Sequence, residues 1–177
     1  MTNQHNFSYY KTKKRPMTIK PLTQELASEL CLWRYTPPYD VYNWPAWEDM
    51  QKDGFEFGDP VLRDRQYSAV LDSDGSLIGF AQFFPLGASV VRLGLGLRPD
   101  LCGRKLGPLF VSVITEEALR RSPGCEVDLE VYTWNTRAIR TYEKAGFRIE
   151  DTYRRPTSHG LKEVHCMVYD RAQAFKW

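Results

Sequence analysis

Residues 129–147 read LEVYTWNTRAIRTYEKAGF and contain one complete strand-to-helix junction. The segment VDLEVYTW, which opens two residues earlier, alternates apolar and polar residues as a half-buried strand does. Leu129, Val131 and Thr133 then face the core, while Glu130 and Tyr132 point to the opposite side of the sheet. Asn135 is a helix N-cap residue and Gly146 a helix stop, so NTRAIRTYEKAG reads as a helix between them. FRIEDTYRR and LKEVHCMVYD follow as two closing strands.

Toward the N-terminus the same logic continues. PLFVSVITEEALRR carries Phe110, Val113, Ile114 and Ala118 at helical spacing, with Pro108 acceptable in the first turn. It is preceded by the loop DLCGRKLG and by SVVRLGLGLRP, a strand in which Gly94 and Gly96 point to a bulge or a close backbone approach. QYSAVLDSDGSLIGFAQFF reads as a hairpin turning at Asp72 to Gly75. MTIKPL is a short strand, and TQELASELCLWRY a first amphipathic helix capped by Thr23. The stretch from Tyr35 to Pro60 is irregular, with only PAWEDMQKDG in it resembling a helix. Antiparallel runs plus one strand–helix–strand crossover predict an α/β fold: a mixed, mostly antiparallel central sheet with helices on both faces.

Composition sets the outer limits. At 177 residues, 42% hydrophobic and 26% charged, the chain fits one globular domain. Residues 1–15 are polar and end in Lys11, Lys13, Lys14 and Arg15, which reads as a flexible leader before a single domain over 16–177. A net charge of +2 gives no basic excess for a nucleic-acid partner. The four cysteines are scattered, with no CxxC pair, so no metal site or disulfide scaffold is expected. No apolar stretch is long enough to span a membrane and no secretory signal is present, so the expected location is cytoplasmic.

The loop between Leu97 and Gly107 opens directly into a helix, where unpaired amides and the helix dipole favour a phosphate or pyrophosphate, and Arg104 and Lys105 add positive charge. A plain turn is the alternative reading of these residues. Neither the GxxxxGK(S/T) loop nor the GxGxxG fingerprint occurs, which excludes the common nucleotide folds.

Leu129, Val131, Asn135, Ala138, Ile139, Tyr142, Glu143, Lys144, Gly146 and Phe147 together resemble the GNAT family of N-acetyltransferases, which shows these residue types at this spacing. That family also carries a pyrophosphate loop, (Q/R)-x-x-G-x-(G/A), one helix earlier. Here Gly107 matches its last position, whereas Cys102 stands for the Gln or Arg and Lys105 for the middle Gly. Lys105 must therefore avoid the backbone angle that suits glycine, or adopt it at some cost.

The resemblance implies acetyl-CoA as co-substrate and no metal. It places the pantetheine arm along Leu95, Gly96 and Leu97, and the pyrophosphate on Cys102, Gly103, Arg104, Lys105, Leu106 and Gly107. Asn135 would cap its helix and bond the arm. Tyr142 is the expected general acid, since a phenol of pKa about 10 stays protonated at neutral pH. Glu130 either activates a water as base or pairs with an arginine. The acceptor, a small-molecule amine or a peptide N-terminus, is expected against Tyr39, Tyr42 and Trp44, with Arg154, Arg155 and His159 as a second wall. The competing reading is a silent acyl-CoA-binding sensor. Sheet edges or terminal strands would serve a homodimer.

Overall fold

The computed structural model describes residues 17–173. The leader expected over residues 1–15 lies outside them.

Seven strands form one sheet: β1 (Thr18–Pro21), β2 (Tyr67–Leu71), β3 (Leu77–Leu86), β4 (Val90–Leu97), β5 (Glu126–Tyr132), β6 (Phe147–Thr157) and β7 (Gly160–Tyr169). Their order is β1-β2-β3-β4-β5-β7-β6, and every neighbouring pair is antiparallel except β4 with β5. The β2–β3 turn is built as its sequence requires. Asp72 Oδ1 accepts the amides of Asp74 and Ser76, and Gly75 takes a φ of 79°.

Five helices flank the sheet: α1 (Gln24–Leu30), α2 (Trp47–Asp53), α3 (Pro60–Gln66), α4 (Gly107–Arg121) and α5 (Thr136–Lys144). Phe110, Val111, Ile114, Thr115 and Ala118 of α4 are buried, one helical face at i, i+4 spacing. They meet Val91, Leu93, Val127, Leu129 and Met167 of the sheet, joined by Phe147. Each fully buried side chain of this size contributes about 2–3 kcal/mol. On the other face, Leu30, Trp33, Met50, Phe57, Tyr67 and Phe80 form a second core beneath α1–α3. The expected layers are present.

One local expectation is corrected, and one pair of alternatives is decided. The segment up to Pro60 runs on into α3, which Asp59 caps by accepting the amides of Val61 and Leu62. No bulge interrupts β4 in its register with β3. Gly96 is instead where a ring comes close: a Cβ there would lie 2.4 Å from Phe80 Cε1.

Candidate active site

β4 and β5 pair only from Val90↔Glu126 to Leu93↔Leu129. Beyond that point β4 continues with β3 alone, to Leu97↔Gly79, and β5 continues with β7 alone, to Tyr132↔Val164. The two parallel strands therefore diverge into a wedge with unpaired backbone on both inner edges. The Leu97 carbonyl points into it, while the next amide, that of Arg98, turns to β3 and donates to Ile78. Because alternate residues share an edge of a strand, Leu95 and Leu97 present their N–H and C=O groups to the wedge and Gly96 presents its own to β3.

Past β4, Gly103 (φ 79°) and Lys105 (φ 61°) turn the chain into α4. Lys105 thus adopts the left-handed angle and does not avoid it. The amides of Gly103, Lys105, Leu106, Gly107 and Leu109 make no hydrogen bond among the described residues, which leaves a cluster of donors at the start of a 15-residue helix. Arg104 and Lys105 are exposed beside it. These groups fit a pyrophosphate. Gly107 serves packing as well, since a Cβ there would come within 2.7 Å of Thr141 Cγ2 on α5. The Cys102 side chain turns inward and its thiol donates to the Leu97 and Arg98 carbonyls at 3.6 and 3.7 Å.

Asn135 Oδ1 accepts the Ala138 amide at 3.2 Å, capping α5, and its Nδ2 donates to the Tyr42 hydroxyl at 3.0 Å. Tyr142, on the same helix, packs against Phe147 with ring centroids 6.2 Å apart. Burial pushes its phenol well above the ordinary value, and the neighbouring Tyr42 adds to this. Burial likewise raises Tyr42 to about 12.

Sequence reasoning did not single out Tyr35. Its hydroxyl donates to the Leu97 carbonyl at 2.7 Å, and its backbone is clamped by Asn43 through bonds of 2.7 and 3.3 Å. Burial raises this phenol too, with Cys102 and Tyr142 close by. Nothing local marks Tyr35 among the other aromatics of its segment.

Glu130 lies across the sheet from Tyr142, in a closed network. Its oxygens take Arg92 at 2.7 Å, Arg155 at 2.8 Å and the Tyr153 hydroxyl at 2.5 Å. Arg92 also grips Asp128 through two bonds of 2.9 and 2.6 Å. Of the two roles weighed for Glu130, the geometry corresponds to the ion pair, and all three contacts come from side chains distant in sequence.

The expected acceptor residues separate. Tyr39 and Tyr42 gather with Tyr132 and Trp134 at centroid distances of 5.7 to 6.3 Å, and the Arg137 guanidinium lies 3.9 Å over the Tyr39 ring. Trp44 is elsewhere, packed 4.8 Å from Phe57 and 5.8 Å from Phe80 in the second core. Arg155 is spent on Glu130, Arg154 is exposed, and His159 lines a cavity beside Tyr132 and Trp134. The alternation of Tyr132 and Trp134 off the core face of β5 was the sequence signal for those two.

Among the described residues no cluster of His, Cys, Asp and Glu is placed to hold a metal, and no helix is long and apolar enough to cross a membrane.

Solved structures share this fold. A chimera of the Vibrio cholerae spermidine N-acetyltransferase SpeG with hSSAT superposes with a TM-score of 0.70 at 14% identity, covering 91% of this chain and 99% of that one. A dodecameric spermidine N-acetyltransferase from the same organism gives a TM-score of 0.66 at 14% identity, covering 90% and 96%. A sequence model of the acetyltransferase (GNAT) family matches residues 26–147, from α1 through the wedge to the end of α5. The chain therefore belongs to the acetyltransferase (GNAT) family, and the wedge, the amide cluster and Tyr142 all lie within the matched region.

Proposed function

We propose that the protein transfers an acetyl group from acetyl-CoA to a primary amine by direct attack, with Tyr142 as general acid. The observation that carries this is the divergence of β4 and β5 next to the amide cluster that opens α4. Acetyl-CoA, when bound, supplies a thioester whose carbonyl gains negative charge as an amine adds. The inward amides of Leu95 and Leu97 are donors for such charge, preorganised by the β3 register. The amide cluster before α4, with Arg104 and Lys105, holds the pyrophosphate. Tyr142 gives its proton to the departing thiolate as the C–S bond breaks, and the proton shed by the amine nitrogen as the C–N bond forms passes to solvent, which reprotonates the phenol.

The test combines calorimetric titration with acetyl-CoA and a thiol-release assay over a panel of amines. Binding with amine-dependent thiol release is expected, and Tyr142→Phe should lower kcat about 10²-fold while leaving KM for acetyl-CoA near its original value. Binding without thiol release from any amine would instead make the chain a silent acyl-CoA sensor. An unchanged kcat in Tyr142→Phe would remove the tyrosine from the mechanism.

A further inference from the structure

The pocket beside the wedge has a composition that selects among amines. A cavity of about 440 Å³ lies between the segment after α1 and the β6–β7 hairpin, lined by Pro38, Val41, Tyr132 and Trp134 with Asp40, His159 and Lys162. That size suits a small molecule, and its accessible wall is almost entirely apolar. Tyr132 and Trp134 stack at 5.7 Å and 15°, and Trp134 remains 41% exposed. A large aromatic surface left in water beside a cavity is unusual unless something covers it. Tyr42, which packs against both rings, accepts through its hydroxyl from Asn135, the cap of the helix that carries Tyr142, so the cavity adjoins the helix of the proposed acid.

The charges point the same way. Asp128 and Glu130 are neutralised by Arg92 and Arg155 and have no free oxygen to offer a cation. Asp40 is then the single carboxylate among the residues lining the cavity, which Lys162 and His159 also line, while Arg137 occupies the adjoining Tyr39 face. A polycation would meet more positive charge here than negative. An apolar body with one carboxylate meets a flat aromatic wall and a cation at the cavity.

We propose that the acceptor is a primary amine on an aromatic or bulky apolar body that also carries a carboxylate, the chemistry of a free hydrophobic amino acid. This rests on the acetyltransferase reading above. The body would stack on Tyr132 and Trp134, and the carboxylate would pair with Lys162.

The experiment measures thiol release from acetyl-CoA with L-phenylalanine, L-tryptophan, phenethylamine, a tripeptide beginning with phenylalanine, and spermidine. The two aromatic amino acids should have the highest kcat/KM, with phenethylamine about tenfold lower for want of the carboxylate. Lys162→Gln should erase that tenfold gap, and Trp134→Ala should raise KM for both amino acids at least tenfold. Spermidine or the tripeptide as the best acceptor would overturn this inference and leave the acetyltransferase reading standing. A gap that persists in Lys162→Gln would overturn the assigned carboxylate contact. Absence of both acetyl-CoA binding and thiol release would overturn the two readings together.

Discussion

Lys105 holds a φ of 61°, an angle that side chains with a Cβ adopt at a cost of about 1–2 kcal/mol. The strain sits in the loop whose amides open α4, so the residue trades backbone comfort for a positive charge beside the proposed pyrophosphate site. Lys105→Gly should raise stability by about 1 kcal/mol, a gain of about 2–4 °C in Tm, and weaken acetyl-CoA binding severalfold in the same protein. Thermal unfolding and calorimetry read the two effects separately. Glu117 offers a second single-residue test. Hydrogen bonds from Arg120 and then Arg121 hold its carboxyl at about 2, against about 4.3 unfolded. A depressed carboxylate stabilises the fold above the unfolded value and loses that contribution as pH falls from about 4.5 toward 2. Glu117→Gln should therefore cost about 1 kcal/mol at pH 7, after solvent screening, and nothing near pH 2. Denaturant titrations at the two pH values measure this. Residue roles were legible in the sequence where the partner is local. Asn135 as a cap needs only the Ala138 amide three positions on. Trp44 was not legible, because a tryptophan after a proline-rich stretch looks alike in sequence whether it meets an acceptor or, as here, Phe57 and Phe80.

Elements were readable where periodicity runs long enough. The alternation of β5 and the i, i+4 face of α4 appear in the sequence because each repeats several times. The seven residues of α3 allow barely two turns, so only the Asp59–Pro60 start marks it, and that signal was read as part of an irregular segment. The glycines of β4 were legible as a bulge or a close approach, and the approach is what is present. The Phe80 ring lies against Gly96 and the Gln82 side chain against Gly94, contacts fixed by the β3–β4 register. Gly96→Ala should cost about 1–3 kcal/mol by overpacking and should also disturb the inner edge of β4, so acetyl-CoA affinity falls with stability. Gly87→Ala, at a φ of 64° with open space around it, is the matched control. It strains the β3–β4 turn, at the end of the sheet where β4 and β5 are still paired, so it should lower Tm without changing cofactor affinity.

At the scale of the molecule the fold class followed from element order alone, yet the wedge did not. It depends on which strand each half of the sheet chooses after Leu93 and Leu129, a long-range matter that no local pattern records. The Glu130 network is equally non-local, since it joins β4, β5 and β6. Arg92 is its centre. Removing it as Arg92→Met would leave the Asp128 carboxylate, 5% exposed, without its partner at a cost of about 3–5 kcal/mol. Chemical denaturation of the variant measures this, and Cys166, whose thiol burial raises to about 11 beside Asp128, should alkylate more slowly in the folded variant, because the Arg92 charge that favours its thiolate is gone. The parallel pairing itself has a mechanical consequence. Four residue pairs are all that rivet one half of the sheet, β1 to β4, to the other, β5 to β6. The guanidinium of Arg92 works as a clasp across that rivet line, on the side away from α4. A twist of a few degrees about so short a fulcrum would be magnified at the open end, where the proposed site for the thioester lies.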